Sequence, residues 1–348
     1  MLLARNGFLK LGAVGLFAAT TNVARAQSAK ITVGTTNSNS DAPFFIAEAK
    51  GYFREQGLAV ELLPFDSAAK MVAPLGTGQL DVAAGAPSAG LYNAALRGID
   101  LRIVADKGSA PKGYGYLPLM VRKALVDDGK VKSVRDLKGM KIAEVAPATA
   151  SLCTLDAALR TGGLSYKDVQ EIFLGFPDHF TAFTNGAIDG GITAEPIATR
   201  CVEAGVAVRF MRDDEFYPNQ QIACVLYGGP FIKNKGDSAK KFMIAYIKAA
   251  RDYNDALKDG KLAGPNAGEV IAILTKFTAI KNPAVYRAIT PNGNDPNGKL
   301  NVESLRKDLD VFKAGGFVKG NVSVDRVVDE SFAEAAVTAL GPYHPKTA

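Results

Sequence analysis

From Lys30 onward, short apolar runs alternate with longer stretches whose apolar positions recur at helical spacing. The runs at 30–34, 58–63 and 80–84 are brief, rich in Ile, Val and Leu, and bounded by Gly or polar residues. Each predicts a buried strand. Helices fill the gaps. Asp41 suits a helix cap and Pro43 a first turn, ahead of Phe44, Phe45, Ala47 and Ala49. A second helix spans 71–75 and stops at Gly76 and Gly78, and a third follows Gly85-Ala-Pro-Ser88 and ends near Gly98. Alternation of this kind predicts an α/β fold with a mostly parallel sheet.

The plan then repeats. A strand at 141–145, a helix at 150–160, a strand at 171–174, a turn at 175–179 and a helix at 180–185 retrace the first half. The best match is the corner GQLDVAAG at 78–85 against GAIDGGIT at 186–193. In each, a glycine ends a helix, an apolar residue and an aspartate turn the chain, and a short strand starts. Two lobes of like topology are the expectation.

Two apolar extended segments, 116–121 and 221–227, separate and follow the copies. Without a Gly/Ser linker, they predict a hinge of paired strands. The expected lobes are 27–121 with 221–348, and 122–220. Beyond Gly228-Gly229-Pro230 the chain reads as helical. Phe242, Ala245, Tyr246, Ala249, Tyr253 and Leu257 form a packing stripe, and a closing helix covers 330–340.

Composition adds a compartment. Arg5 and Lys10 precede an apolar run at 11–19, and Ala24-Arg25-Ala26 offers small residues to a signal peptidase, so cleavage is expected after Ala26. The apolar run is about half the ~20 residues a membrane span needs. Removing Arg5, Lys10 and Arg25 lowers the balance from 41 − 35 = +6 to 38 − 35 = +3. No dense basic stripe remains, so nucleic acid is not an expected partner. Cys153, Cys201 and Cys224 form no CxxC pair, and His179 and His344 are the sole histidines. Buried thiols are the expectation, with no metal and no cofactor. Phosphate-loop, HExxH and dinucleotide motifs are missing, and two histidines support no persuasive Ser–His–Asp order.

Ligands of open α/β sheets lie beyond the carboxyl ends of the strands. In both copies that rule selects six loops: 37–40, 67–70, 85–88, 146–151, 175–179 and 194–196. The candidate ligand-binding residues within or beside them are Asn39, Ser40, Phe44, Ser67, Pro87, Ser88, Tyr114, Thr149, Ser151, His179 and Glu195. Ser88, Thr149 and Ser151 serve either as plain helix caps or as hydroxyl donors to a ligand. Glu195, in an apolar stretch, either receives a ligand amine or amide or pairs with Arg200. Phe44, Tyr92, Tyr114, Tyr116 and Phe176 are candidates for a stacking wall.

The run PFFIAEAKGYF at 43–53, GLAVE at 57–61, the GQLD and GAID corners, ALRG at 95–98, DLKG at 136–139 and Glu195-Pro196 occur in a telling order. That series, spanning about residues 30–258, resembles periplasmic binding proteins of ABC transporters for nitrate, taurine, alkanesulfonates and thiamine-pyrimidine precursors. The resemblance implies a type II periplasmic-binding-protein fold, two α/β lobes joined by a two-stranded hinge. It also implies a periplasmic, monomeric, non-enzymatic receptor that hands a small-molecule ligand to an ABC transporter permease in the inner membrane. The expected ligand is a small organic anion or heteroaromatic compound of sulfonate, carboxylate or pyrimidine type. Fungal pyrimidine synthases resemble the same family but carry a cysteine-rich cluster that this chain lacks. An exported enzyme or a sensor subunit on the same fold is the alternative.

Overall fold

The computed structural model describes residues 28–346. The expected export segment at 1–26 lies outside them.

Ten strands form two five-stranded sheets. The first holds β1 (Ala29–Thr35), β2 (Leu58–Pro64), β3 (Val82–Gly85), β4 (Leu101–Ser109) and β10 (Gln221–Gly228), in the order β2-β1-β3-β10-β4. The second holds β5 (Leu119–Arg122), β6 (Lys141–Glu144), β7 (Gln170–Phe173), β8 (Gly190–Ile192) and β9 (Ala207–Met211), in the order β7-β6-β8-β5-β9. The topologies coincide. Three strands run parallel, and a fourth arrives from the other lobe and inserts antiparallel beside an edge strand.

The two aspartate corners do the same work. Asp81 accepts the Thr32 backbone N–H at 3.0 Å, and Asp189 accepts that of Lys141 at 3.1 Å. Each carboxylate therefore ties the start of the third strand to the first strand. A cation completes each corner, Lys235 at 3.0 Å from Asp81 and Arg122 at 2.8 Å from Asp189.

Residues 119–121, expected in the first lobe, are hydrogen-bonded into the second sheet between β8 and β9. The crossing itself lies earlier, at Ser109–Ala110, where the chain pairs with Asn219–Gln221 through Asn219 N–H to the Ala110 carbonyl (2.8 Å) and Ala110 N–H to the Gln220 carbonyl (3.1 Å). The C-terminal region also differs from expectation, because not all of it stays with the first lobe. Helix Gly236–Asp255 packs Phe242 and Tyr246 against Phe44 of helix Ala42–Ala49, and Ser331–Leu340 packs on it as well. Each such ring contributes roughly 1.5–3 kcal/mol through burial. Helix Val302–Ala314, by contrast, packs against both β10 and helix Ala150–Arg160 of the second lobe. Among the described residues no helix is long and apolar enough to cross a membrane.

Candidate functional site

The carboxyl ends of both parallel strand sets meet over one cavity of about 40 Å³. Every one of the six loops contributes to its wall: Ser38 and Ser40, Ser67 and Ala68, Gly85 and Ala86, Thr149 and Ser151, Phe176, and Ala194. The crossings add Tyr116, Leu117, Ile222 and Ala223. The lobes touch directly beside the cavity. Ala89 N–H donates to the Ala148 carbonyl (2.9 Å), Ala150 N–H to that of Pro87 (3.2 Å), and Asn39 N–H to that of Glu195 (3.1 Å). This is a closed cleft.

The first-lobe wall ends in a buried ion pair. Lys107 Nζ lies 2.9 Å from Asp41 Oδ1 and donates to Ser40 Oγ at 2.7 Å, and both charged side chains are fully buried. Asp41 Oδ2 accepts the backbone N–H groups of Thr36 (3.1 Å) and Ser38 (3.0 Å), which folds the loop after β1 back on itself. The hydroxyls then run in series, Ser40 to Ser38 at 2.9 Å and Ser38 to Thr36 at 3.2 Å. Lys107 is the one charged side chain among the described residues lining the cavity. It sits on β4, a strand the sequence reading did not assign.

The second-lobe wall ends differently. Glu144, the last residue of β6, is fully buried and bonds the Ser151 hydroxyl, which lies 3.0 Å from that of Thr149. Among the described residues no cation accompanies it. Burial pushes its carboxyl well above the ordinary range, and nearby Glu171 adds to the rise.

Of the eleven sequence-predicted residues, Ser40, Ser67, Thr149 and Ser151 line the cavity. The others have different contacts. Asn39 donates from its amide to Tyr253 (2.8 Å) and Asn292 (2.7 Å) beneath the loop. Phe44 points into the first-lobe core, 4.9 Å from the Tyr246 ring, because its position faces inward on its helix. Pro87 supplies a carbonyl to the inter-lobe contact, and Ser88 caps helix Ala89–Leu96 through Leu91 N–H (3.3 Å). Tyr114 lines a separate surface hollow.

His179 and Glu195 are corrected more sharply. Residues 176–179, expected as a turn, open helix Phe176–Thr184 and direct His179 inward onto Thr193 (3.0 Å) and the Leu174 carbonyl (3.2 Å). Burial pulls its imidazole down to about 4, so it is neutral near pH 7. Glu195 pairs with Arg209 at 2.6 Å and accepts Thr199 N–H at 2.9 Å, while Arg200 instead stacks over Phe180 at 3.9 Å. Of the aromatic candidates, Tyr116 and Phe176 reach the cavity, whereas Tyr92 packs near Phe312 at 6.4 Å. The three cysteines are buried and unbonded, and no metal-ligating cluster occurs among the described residues.

Two closed α/β lobes with swapped fourth strands constitute the type II periplasmic-binding-protein fold. The nitrate-binding protein NrtA of Synechocystis PCC 6803 superposes with a TM-score of 0.75 at 16% identity, covering 90% of this chain and 89% of its own. The NMT1/THI5-like family model matches residues 38–258, and the chain belongs to that family. Its relatives include an Escherichia coli (strain K12) protein named for binding aliphatic sulfonates, 24% identical over 226 residues, 65% of this chain and 64% of the relative. Another is the Saccharomyces cerevisiae 4-amino-5-hydroxymethyl-2-methylpyrimidine phosphate synthase THI13, 28% identical over 224 residues, 61% of this chain and 62% of the relative. The match thus spans under two thirds of either relative's length.

Proposed function

We propose that this chain is an extracytoplasmic solute-binding receptor that captures a small organic anion or heteroaromatic compound of sulfonate, carboxylate or pyrimidine type between its lobes. It then delivers that ligand to an ABC permease in the inner membrane. One observation carries this reading: six strand-end loops from two lobes converge on one cavity, whose wall is chiefly apolar and also carries serine and threonine side chains from both lobes. Apolar contacts from Leu117, Ile222 and Phe176 suit a carbon skeleton, and the hydroxyl rows suit a polar head. Opening and closing about the Ser109–Ala110 and Asn219–Gln221 pairing is the motion that a transport receptor needs. The export segment expected at 1–26 and the likeness to a periplasmic nitrate-binding protein support a periplasmic receptor, and a monomer is part of the proposal.

The enzymatic alternative rests on the Lys107 Nζ to Ser40 Oγ contact of 2.7 Å, the geometry of a lysine-activated serine. Asp41 argues against it, since its carboxylate already engages Lys107 Nζ at 2.9 Å in a buried ion pair. Thermal unfolding against taurine, alkanesulfonates, nitrate, pyrimidines and aromatic carboxylates tests the proposal. One saturable stabiliser is expected, worth about 2.7 kcal/mol at ~100 times its Kd. Chemical consumption of that stabiliser rejects the receptor reading.

A further inference from the structure

Among the described residues Glu144 has no ion-pair partner and its Oε1 no hydrogen-bond partner, although the residue is fully buried. Its other oxygen bonds Ser151, which lies 3.0 Å from Thr149, and both hydroxyls line the cavity. A bare carboxylate there would be costly. The titratable groups around it are Glu171 on β7 and Cys153 on helix Ala150–Arg160, neither of which supplies positive charge. Neighbouring β8 carries only Gly190, Gly191 and Ile192.

The hydrogen count on this row depends on Glu144. As a carboxylate it accepts the single Ser151 hydroxyl hydrogen, leaving Ser151 only lone pairs to offer. As a carboxylic acid it donates to Ser151 Oγ, and the Ser151 hydrogen is released toward Thr149 or the cavity. The charge count follows the same switch. Lys107 and Asp41 cancel, so the site is neutral with the acid form and carries one negative charge with the carboxylate.

We propose that Glu144 is a positioning residue that selects ligand charge: as a neutral acid it donates to Ser151 and turns the Ser151–Thr149 row into donors for a singly charged oxyanion. The inference rests on the cavity being the ligand site. The favoured ligand is a compact monoanionic carboxylate or sulfonate with an apolar body against Phe176 and Leu117. A dianion meets no uncompensated cation, and an amine meets no free carboxylate.

The test combines calorimetry with infrared spectroscopy on the purified chain. Benzoate and butanesulfonate are the carboxylate and sulfonate probes, with phthalate as the dianion and benzylamine as the cation. For at least one monoanion, the wild-type Kd should rise about tenfold per pH unit once Glu144 ionises, measured between about pH 5 and about pH 9. Glu144→Gln, whose amide still donates to Ser151, should bind without that pH slope. The protonated-acid carbonyl stretch of Glu144 should be present near neutral pH, lost in Glu144→Gln and shifted in Ser151→Ala. The infrared measurement needs no ligand, so it separates two failures. Absence of the band overturns the proposal, whereas its presence with no probe bound overturns the cavity as the ligand site. A pH-independent wild-type Kd, or tighter binding of phthalate or benzylamine than of both monoanions, also overturns the proposal.

Discussion

The two walls of the cavity are built alike and neutralised differently. On the first-lobe side a row of hydroxyls, Thr36, Ser38 and Ser40, ends at Lys107, whose charge Asp41 cancels. On the second-lobe side a shorter row, Thr149 and Ser151, ends at Glu144, with no cation beside it. A buried ion pair keeps both charges and holds its loop rigidly. A buried acid that takes up a proton costs less to bury, and it remains able to respond to pH and ligand. The duplicated fold supplies two similar hydroxyl rows, and the group at the end of each row makes one wall fixed and the other titratable.

Breaking the first wall should have the largest effect. Lys107→Met leaves the Asp41 carboxylate buried beside two backbone N–H groups and no cation, an expected loss of about 3–5 kcal/mol in urea unfolding. Adding Asp41→Asn should recover most of that loss, because the remaining partners are neutral and the two changes couple. Glu144→Leu, in contrast, removes a group without ionic partner and should cost about 1–3 kcal/mol through the unpaired Ser151 hydroxyl. Equal costs for Lys107→Met and Glu144→Leu would abolish the distinction between the walls.

The seam between the lobes comes next. Asp308, on the straddling helix, accepts Tyr217 Oη at 2.7 Å and the Gln220 amide at 3.3 Å, so it holds the returning crossing. Burial raises its carboxyl from the ordinary 3.8 to about 7. The folded state therefore retains a proton that the unfolded chain releases. This contribution is complete below about 3.8 and is lost as pH rises through about 7. Asp308→Asn, which cannot ionise, should be more stable than wild type by on the order of 4 kcal/mol near pH 8. The advantage should vanish on acidification to about pH 4, as read from urea midpoints across that range. An advantage that persists unchanged at low pH would show that proton linkage is not its source.

Much of the architecture was legible because it depends on local pattern. The strand ends and the six loops follow from apolar runs and their punctuation, and all six loops reach the cavity, whereas the crossing expected at 116–121 lies at Ser109–Ala110. What escaped depends on distant partners or side-chain direction. Lys107 lies on β4, which the apolar pattern did not yield, and its partner Asp41 stands far earlier in the chain. The Asp106-Lys107 pair directly after apolar Ile103, Val104 and Ala105 was the available signal. Glu195 was given a partner five residues away on the following helix, yet β9 brings Arg209 to it instead. The turn expected at 175–179 overlooks that Pro177 suits the first turn of a helix, and helix Phe176–Thr184 carries His179 inward onto Thr193. Glu144 looked like an ordinary strand residue, because nothing local reveals that the helix after it closes over the carboxyl.

The aspartate corners offer the smallest and most exacting comparison. Asp81 and Asp189 each accept a first-strand backbone N–H and each face one cation, so their substitution by asparagine should have nearly equal consequences. A net cost of about 1–2 kcal/mol apiece is expected, since the charge-assisted bond weakens while the backbone contact can persist through the amide oxygen. The partners differ in origin. Arg122 comes from β5, within the same sheet as Asp189, whereas Lys235 follows helix Gly229–Asn234 in the segment after the second crossing. If the corner is an autonomous device of each lobe, Asp189→Asn should speed amide exchange along β6 and β8 and leave β1 and β3 unchanged, with Asp81→Asn doing the reverse. Exchange that spreads into both sheets from either variant would mean that the lobes unfold as one unit, despite their duplicated plan.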